Sequence, residues 1–270
     1  MSRRGGSRPA HPTRRPPYGA YVVAALAVAF FALPLIGLAQ RAPWSRLWAD
    51  LTSPATKDAL RLSLECSVGA TVLSVLFGVP LAWVLARGEF VGRRLARAVV
   101  LLPMIMPPVV GGVALFLAFG RRGVLGQYLD HWFGVTLPFT TLGAIIAETF
   151  VAMPFLVITV EAALRGLDER YEDAASTLGA SRWTVFRRVT LPLIAPSLVA
   201  GGALSWARAL GEFGATITFA GNLQGKTQTM PLAIFLAFES NPETAIALSL
   251  VLVAVSILVL ATLRDRWLRV

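Results

Sequence analysis

Six apolar runs of about membrane-span length divide this sequence: Tyr21–Ala39, Ala59–Ala86, Val99–Phe119, Phe139–Leu164, Leu193–Ala220 and Thr244–Leu263. A helix rises about 1.5 Å per residue, so about 20 apolar residues cross the hydrocarbon core of a bilayer. Backbone polar groups in lipid must be paired within their own segment, and for runs of this length the α-helix does that. The expected fold class is therefore an all-α integral membrane protein of six transmembrane helices. Charged residues make up only 15% of the chain, where soluble domains carry about 25%. The second, fourth and fifth runs are long enough to tilt or protrude. Proline and paired glycine interrupt several of them, at Pro80, Pro103, Pro107, Pro108, Gly111, Gly112, Pro154, Pro196, Gly201 and Gly202. Such breaks persist at membrane depth when neighbouring helices or a cavity satisfy the freed backbone groups. They suit a bundle built around a path.

The net charge of +10 does not point to nucleic acid. Its basic residues form short clusters between apolar runs, with no continuous basic face to follow phosphates. Counted with the N-terminus inside, the inner segments hold 17 Lys and Arg and the outer loops 6. That asymmetry places both termini in the cytoplasm. Residues 1–17, rich in Arg and Pro, read as a disordered cytoplasmic tail, and 265–270 as a second one. Residues 18–57 hold the first span and its outer loop, and 58–264 the core membrane domain. The first run exceeds the usual length of a signal-peptide core and lacks a clear cleavage site, so it reads as a retained helix. One cysteine, Cys66, and two distant histidines, His11 and His131, supply neither a disulfide nor a metal site. No cofactor is expected, and membrane lipid is the expected surrounding.

The inner stretch 165–192 differs from the other loops. Its pattern predicts two short helices around a glycine. Glu169, Glu172 and Asp173 suit the positive start of the first. Gly179 can end it in a left-handed conformation, Ser181 can cap the second, and Arg187 and Arg188 suit that helix's end. Pro192 then marks entry to the next span. The order Asp173-Ala174-Ala175, Gly179 after three residues, Val189 after nine more, and Leu191-Pro192 resembles the EAA motif of ABC importer permeases. Asp for Glu and Val for Ile are its two departures, and Glu172 stands ready as the alternative carboxylate. The resemblance implies a type I-like permease whose loop docks on a cytoplasmic ATP-binding cassette subunit. The coupling residues it implies are Glu172, Asp173, Ala174, Ala175, Gly179, Leu191 and Pro192.

Two further stretches are similar to molybdate permeases. They are Leu102 to Gly112, followed by Gly120-Arg121-Arg122-Gly123, and Ala207 to Ala233 with its Leu-Gly-Glu-Phe-Gly core. The similarity runs from about Ala59 to Leu263. Sulfate and thiosulfate permeases share part of it, so sulfate, thiosulfate and tungstate stay open as alternative ions. The resemblance implies a homodimer in the bacterial inner membrane, two ATPase subunits and an extracytoplasmic substrate-binding protein. A secondary transporter acting alone would show internal repeats, and none is evident. A membrane-embedded enzyme would need clustered His, Asp or Glu at membrane depth.

Ionisable groups within spans are costly and usually face the bundle interior. Arg208 and Glu212 stand four apart, where one helix face lets them pair. With Gly211 and Gly214 beside them they are the candidate pore or gate residues; a purely structural ion pair is the competing reading. Glu148 has no partner at four residues' distance, which calls for one on another helix or for protonation. Gly221 to Thr227 looks like a phosphate-binding loop but is one residue short between its glycines and lacks the strand and helix such a loop needs.

Overall fold

The computed structural model describes residues 17–267, so most of the two expected tails, and His11, lie outside the described residues. Among the described residues the chain is helical, with no strand. It divides after Ala42 into two units. The first holds α1 (Tyr18–Gln40). This helix is apolar on every side, with a mean hydropathy of 2.6, as a membrane span is.

The second unit opens with α2 (Leu47–Thr52), α3 (Pro54–Arg87), α4 (Arg93–Ile105), α5 (Pro108–Phe119) and α6 (Gly126–Phe133). It continues with α7 (Thr141–Gly166), α8 (Arg170–Thr177) and α9 (Arg182–Val185). A π turn at Phe186–Thr190 leads into α10 (Leu191–Leu210), then α11 (Gly214–Phe219), α12 (Met230–Ser240) and α13 (Pro242–Trp267). The division places α2 with the second unit, where it packs on α13 and Arg46 pairs with Glu243 at 3.7 Å.

α3 and α7 form the centre. Ser53 starts α3, its Oγ accepting from the Thr56 N–H at 3.2 Å, and Pro54 fills the first turn, where no N–H is needed. Thr140 starts α7 in the same way, accepting from Gly143 at 3.0 Å. The buried face of α3 is small: Ala59, Ser63, Cys66, Ser67, Ala70, Ser74, Gly78 and Ala82. α7 lays Ala144, Ala147, Val151, Ala152 and Leu156 on the same side of the core. A Cβ on Gly78 would press on Leu156, Val157 and Met153 at 3.0–3.3 Å. Lipid tails are as apolar as leucine, so close packing of small faces supplies the attraction between such helices. α10 closes the core through Ile194 against Leu156, Val160 and Leu164.

Five described helical runs are long and apolar enough to cross a membrane: α1, α3, α7, Arg182–Leu210 and Pro242–Val259. The third expected span, Val99–Phe119, is two helices. Proline disfavours the helical conformation in the residue before it; Met106, before Pro107, is extended at ψ 137°, and Pro108 opens α5. The fifth expected span also divides, because α10 ends at Leu210 and α11 begins at Gly214. The two broken segments pack on each other. A Cβ on Gly112 would collide with the Thr218 side chain and the Ala215 carbonyl, and one on Gly214 with Pro108 and Val109. Each broken segment thus has the other as its close neighbour. α12 occupies a stretch read as outer loop, and its first N–H, on Met230, donates to Ser63 Oγ at 2.7 Å.

Candidate functional site

Stretch 165–192 is built as two short helices. α8 ends in a Schellman arrangement: the Ala180 N–H donates to the Ala175 carbonyl at 3.1 Å and the Gly179 N–H to Ser176 at 2.9 Å. Gly179 sits at φ +83°, the left-handed region that such an end requires. Ser181 Oγ accepts from the Thr184 N–H at 3.3 Å and so starts α9. The expectation that Arg187 and Arg188 close this second helix is corrected. α9 continues through the π turn into α10. Pro192 lacks an N–H and crowds the carbonyl four residues back; the widened turn at Phe186–Thr190 lets the helix pass it unbroken.

Glu172 rather than Asp173 ties α8 to the bundle. Its Oε1 accepts from Thr190 Oγ1 at 2.7 Å, and its Oε2 lies 3.5 Å from Arg87 Nη2. Arg87, the last residue of α3, also pairs with Glu169. Phe186 stacks on Trp83 with ring centroids 4.5 Å apart. Sequence reading missed Arg87 and Trp83; a basic residue at the very end of a span was the available signal. Asp173, Ala174 and Gly179 are solvent-exposed. Tyr171, Leu178 and Trp183 are exposed too, Leu178 at 89%. The loop therefore has one side anchored and one apolar side open.

The second candidate lies at the other end of α10, about 30 Å away by helix length. The two groups of residues do not meet. Arg208 Nη2 lies 2.6 Å from Glu212 Oε2. The pair spans the end of a helix rather than sharing a helix face, since Gly211 turns the chain before Glu212. The other carboxylate oxygen, Oε1, accepts from the Ala215 N–H at 2.8 Å and so caps α11. Glu212 is 1% exposed. Glu148 on α7 is as buried, its Oε2 has no hydrogen-bond partner, and Glu212 is its electrostatic neighbour. Among the described residues the basic partner expected on another helix is not found. Arg121, just after α5, pairs with Asp130 of α6 at 2.8 Å. Gly221 to Thr227 follows a helix and leads into turns, unlike a phosphate-binding loop.

Residues 75–270 match the family described as binding-protein-dependent transport system inner membrane component. The molybdenum transport system permease protein ModB of Mycobacterium tuberculosis is 48% identical over 249 residues, covering 92% of this chain and 94% of that protein. The protein of the same name from Escherichia coli is 41% identical over 218 residues, 81% of this chain and 95% of that one. The sulfate transport system permease protein CysT of Escherichia coli is 40% identical over 218 residues, 80% and 78%. Among solved structures, a bacterial ABC transporter involved in the import of the acidic polysaccharide alginate shares the fold. Its TM-score is 0.73 at 19% identity, over 94% of this chain and 96% of that one.

Proposed function

Because this chain belongs to the family of binding-protein-dependent transport system inner membrane components, we propose that it forms the membrane path through which an ABC importer takes up molybdate. It is a multi-pass permease, a transport subunit rather than an enzyme. The observation that carries the choice of ion is the identity to the molybdenum permeases, which extends over nearly the whole chain. A second reading, sulfate, is favoured by the identity to CysT.

In this reading the open face of α8 and α9, with Tyr171, Leu178 and Trp183, seats on a cytoplasmic ATPase. Gly179 sets the angle between the two helices. Arg87, Thr190 and the Trp83–Phe186 stack carry its displacement to α3 and α10. One loop per chain suits a homodimer with two ATPases and an external binding protein, the path lying at the interface between the two copies. Both termini are then cytoplasmic. Proteoliposomes holding the permease, ATPase and binding protein test the ion. ATP-driven uptake of labelled molybdate that excess sulfate does not suppress is expected. Preferred sulfate uptake would install the second reading, and no ATP-driven uptake of either anion would overturn both.

A further inference from the structure

We infer that an arginine pocket at the loop end of the bundle binds the phosphate headgroup of an anionic phospholipid, with an acyl chain lying along α4. The inference rests on the importer reading only in placing this end at the cytoplasmic face. The pocket has a volume of about 400 Å³ and is lined by Phe90, Gly92, Arg93, Arg94, Arg97 and Arg165.

The start of α4 breaks a local electrostatic rule. A helix begins with unpaired N–H groups and partial positive charge, which favour acids and disfavour bases. Here Gly92 caps the helix at φ +94° with no side chain to accept from it, and no acid stands in the first turn. Arg93 and Arg94 occupy that turn instead, with Arg97 one turn on. A bound anion turns each of these unfavourable placements into a favourable one.

The protein's own acids do not neutralise the cluster. Glu161, 6% exposed, is shared by Arg97 and by Arg165, the latter at 3.0 Å. Arg93 is folded back on the carbonyls of Gly88 and Ala86, at 3.0 and 3.3 Å, and this aligns it at the pocket wall. Arg97 Nε is buried without a hydrogen-bond partner. Arg94 has no ion pair among the described residues. Among the described residues Glu161 is the one carboxylate that pairs with any of the four guanidinium groups lining the pocket.

The surroundings of the pocket select an amphipathic ligand. Leu95, Val99 and Leu102 are 69%, 60% and 52% exposed. They recur at four and three residues on one face of α4, starting at the pocket rim. A free oxyanion uses only the pocket. A phospholipid uses both parts: its phosphodiester offers oxygens that guanidinium groups chelate in pairs, and its chain covers the apolar strip. Basic pockets between spans on the cytoplasmic side are where anionic headgroups collect.

The test is native mass spectrometry of the full-length permease taken from micelles of mixed phosphatidylglycerol and phosphatidylcholine. The wild type is expected to retain phosphatidylglycerol in preference. Arg94→Gln should weaken that preference about fivefold, and Arg93→Gln with Arg94→Gln by about 25-fold, from about 1 kcal/mol per arginine at a charged membrane surface. Arg94→Lys should keep most of it. Arg94→Gln removes no contact the fold uses, so it decides the matter even where the double variant fails to fold. Equal retention by wild type and Arg94→Gln would overturn the inference. So would displacement of the lipid by inorganic phosphate or molybdate, which would assign the pocket to a free anion. Lipid retention unchanged while the ATPase no longer co-purifies would assign it to a protein contact instead, with the importer reading intact.

Discussion

Glu212 serves two neighbours with two oxygens, and this decides how its partner should be read. One oxygen holds Arg208 at 2.6 Å and the other caps α11 through Ala215. A buried carboxylate stripped of its cation costs about 3 kcal/mol or more. Arg208→Leu should therefore lower the thermal midpoint of the detergent-solubilised permease and its transport together. Adding Glu212→Gln removes the stranded charge and keeps an amide oxygen for the Ala215 N–H, so the double variant should regain both. A double variant that folds, retains its ATPase and still fails to transport would make Arg208 part of the anion path. The structural outcome is the one favoured here, since a lone fixed cation in a site of low effective dielectric holds a divalent anion too well for a conduit.

At the scale of elements, two glycines carry different loads. Gly179 has open space around it, but its φ of +83° is one that side chains rarely adopt. Gly179→Val strains the end of α8 by about 2 kcal/mol, and the loop relaxes by changing the angle between α8 and α9. The permease should stay in the membrane while co-purification of the ATPase and transport-linked ATP hydrolysis both fall; normal values for both would remove the loop from the transmission route. Gly112 has an ordinary φ and no space. Gly112→Ala drives a methyl group into Thr218 and the Ala215 carbonyl, where overpacking costs about 1–3 kcal/mol, and the thermal midpoint should drop accordingly. Gly166→Ala, with nothing within 4 Å of its Cβ, is the control and should leave that midpoint unchanged or slightly raised.

For the whole molecule, the sequence spoke most clearly where the physics is local. Apolar length made the spans legible, and a glycine with a serine two residues later made the α8–α9 turn legible, because caps and left-handed glycines act over a few residues. The tertiary relations were hidden. Nothing in the spacing shows that Arg87 reaches Glu169 and Glu172, or that Gly112 and Gly214 let α5 and α11 touch. Pro107 and Pro108 announced an interruption but not two separate helices, since the packing of α5 against α11 is a tertiary relation. Orientation is the remaining global property, and the proposal of cytoplasmic termini rests on the 17 to 6 distribution of Lys and Arg. The chain is well suited to test it, because its one cysteine, Cys66, is fully buried and gives an impermeant thiol reagent little to react with. Ser181→Cys stands in the exposed α8–α9 turn, and Arg122→Cys in the exposed segment before α6, where it leaves the Arg121–Asp130 pair intact. Added outside intact cells, the reagent should label Arg122→Cys and spare Ser181→Cys; in inverted vesicles the pattern should reverse. Labelling of Ser181→Cys from outside would turn the α8–α9 face away from ATP, and the coupling role proposed for it would fall with the topology.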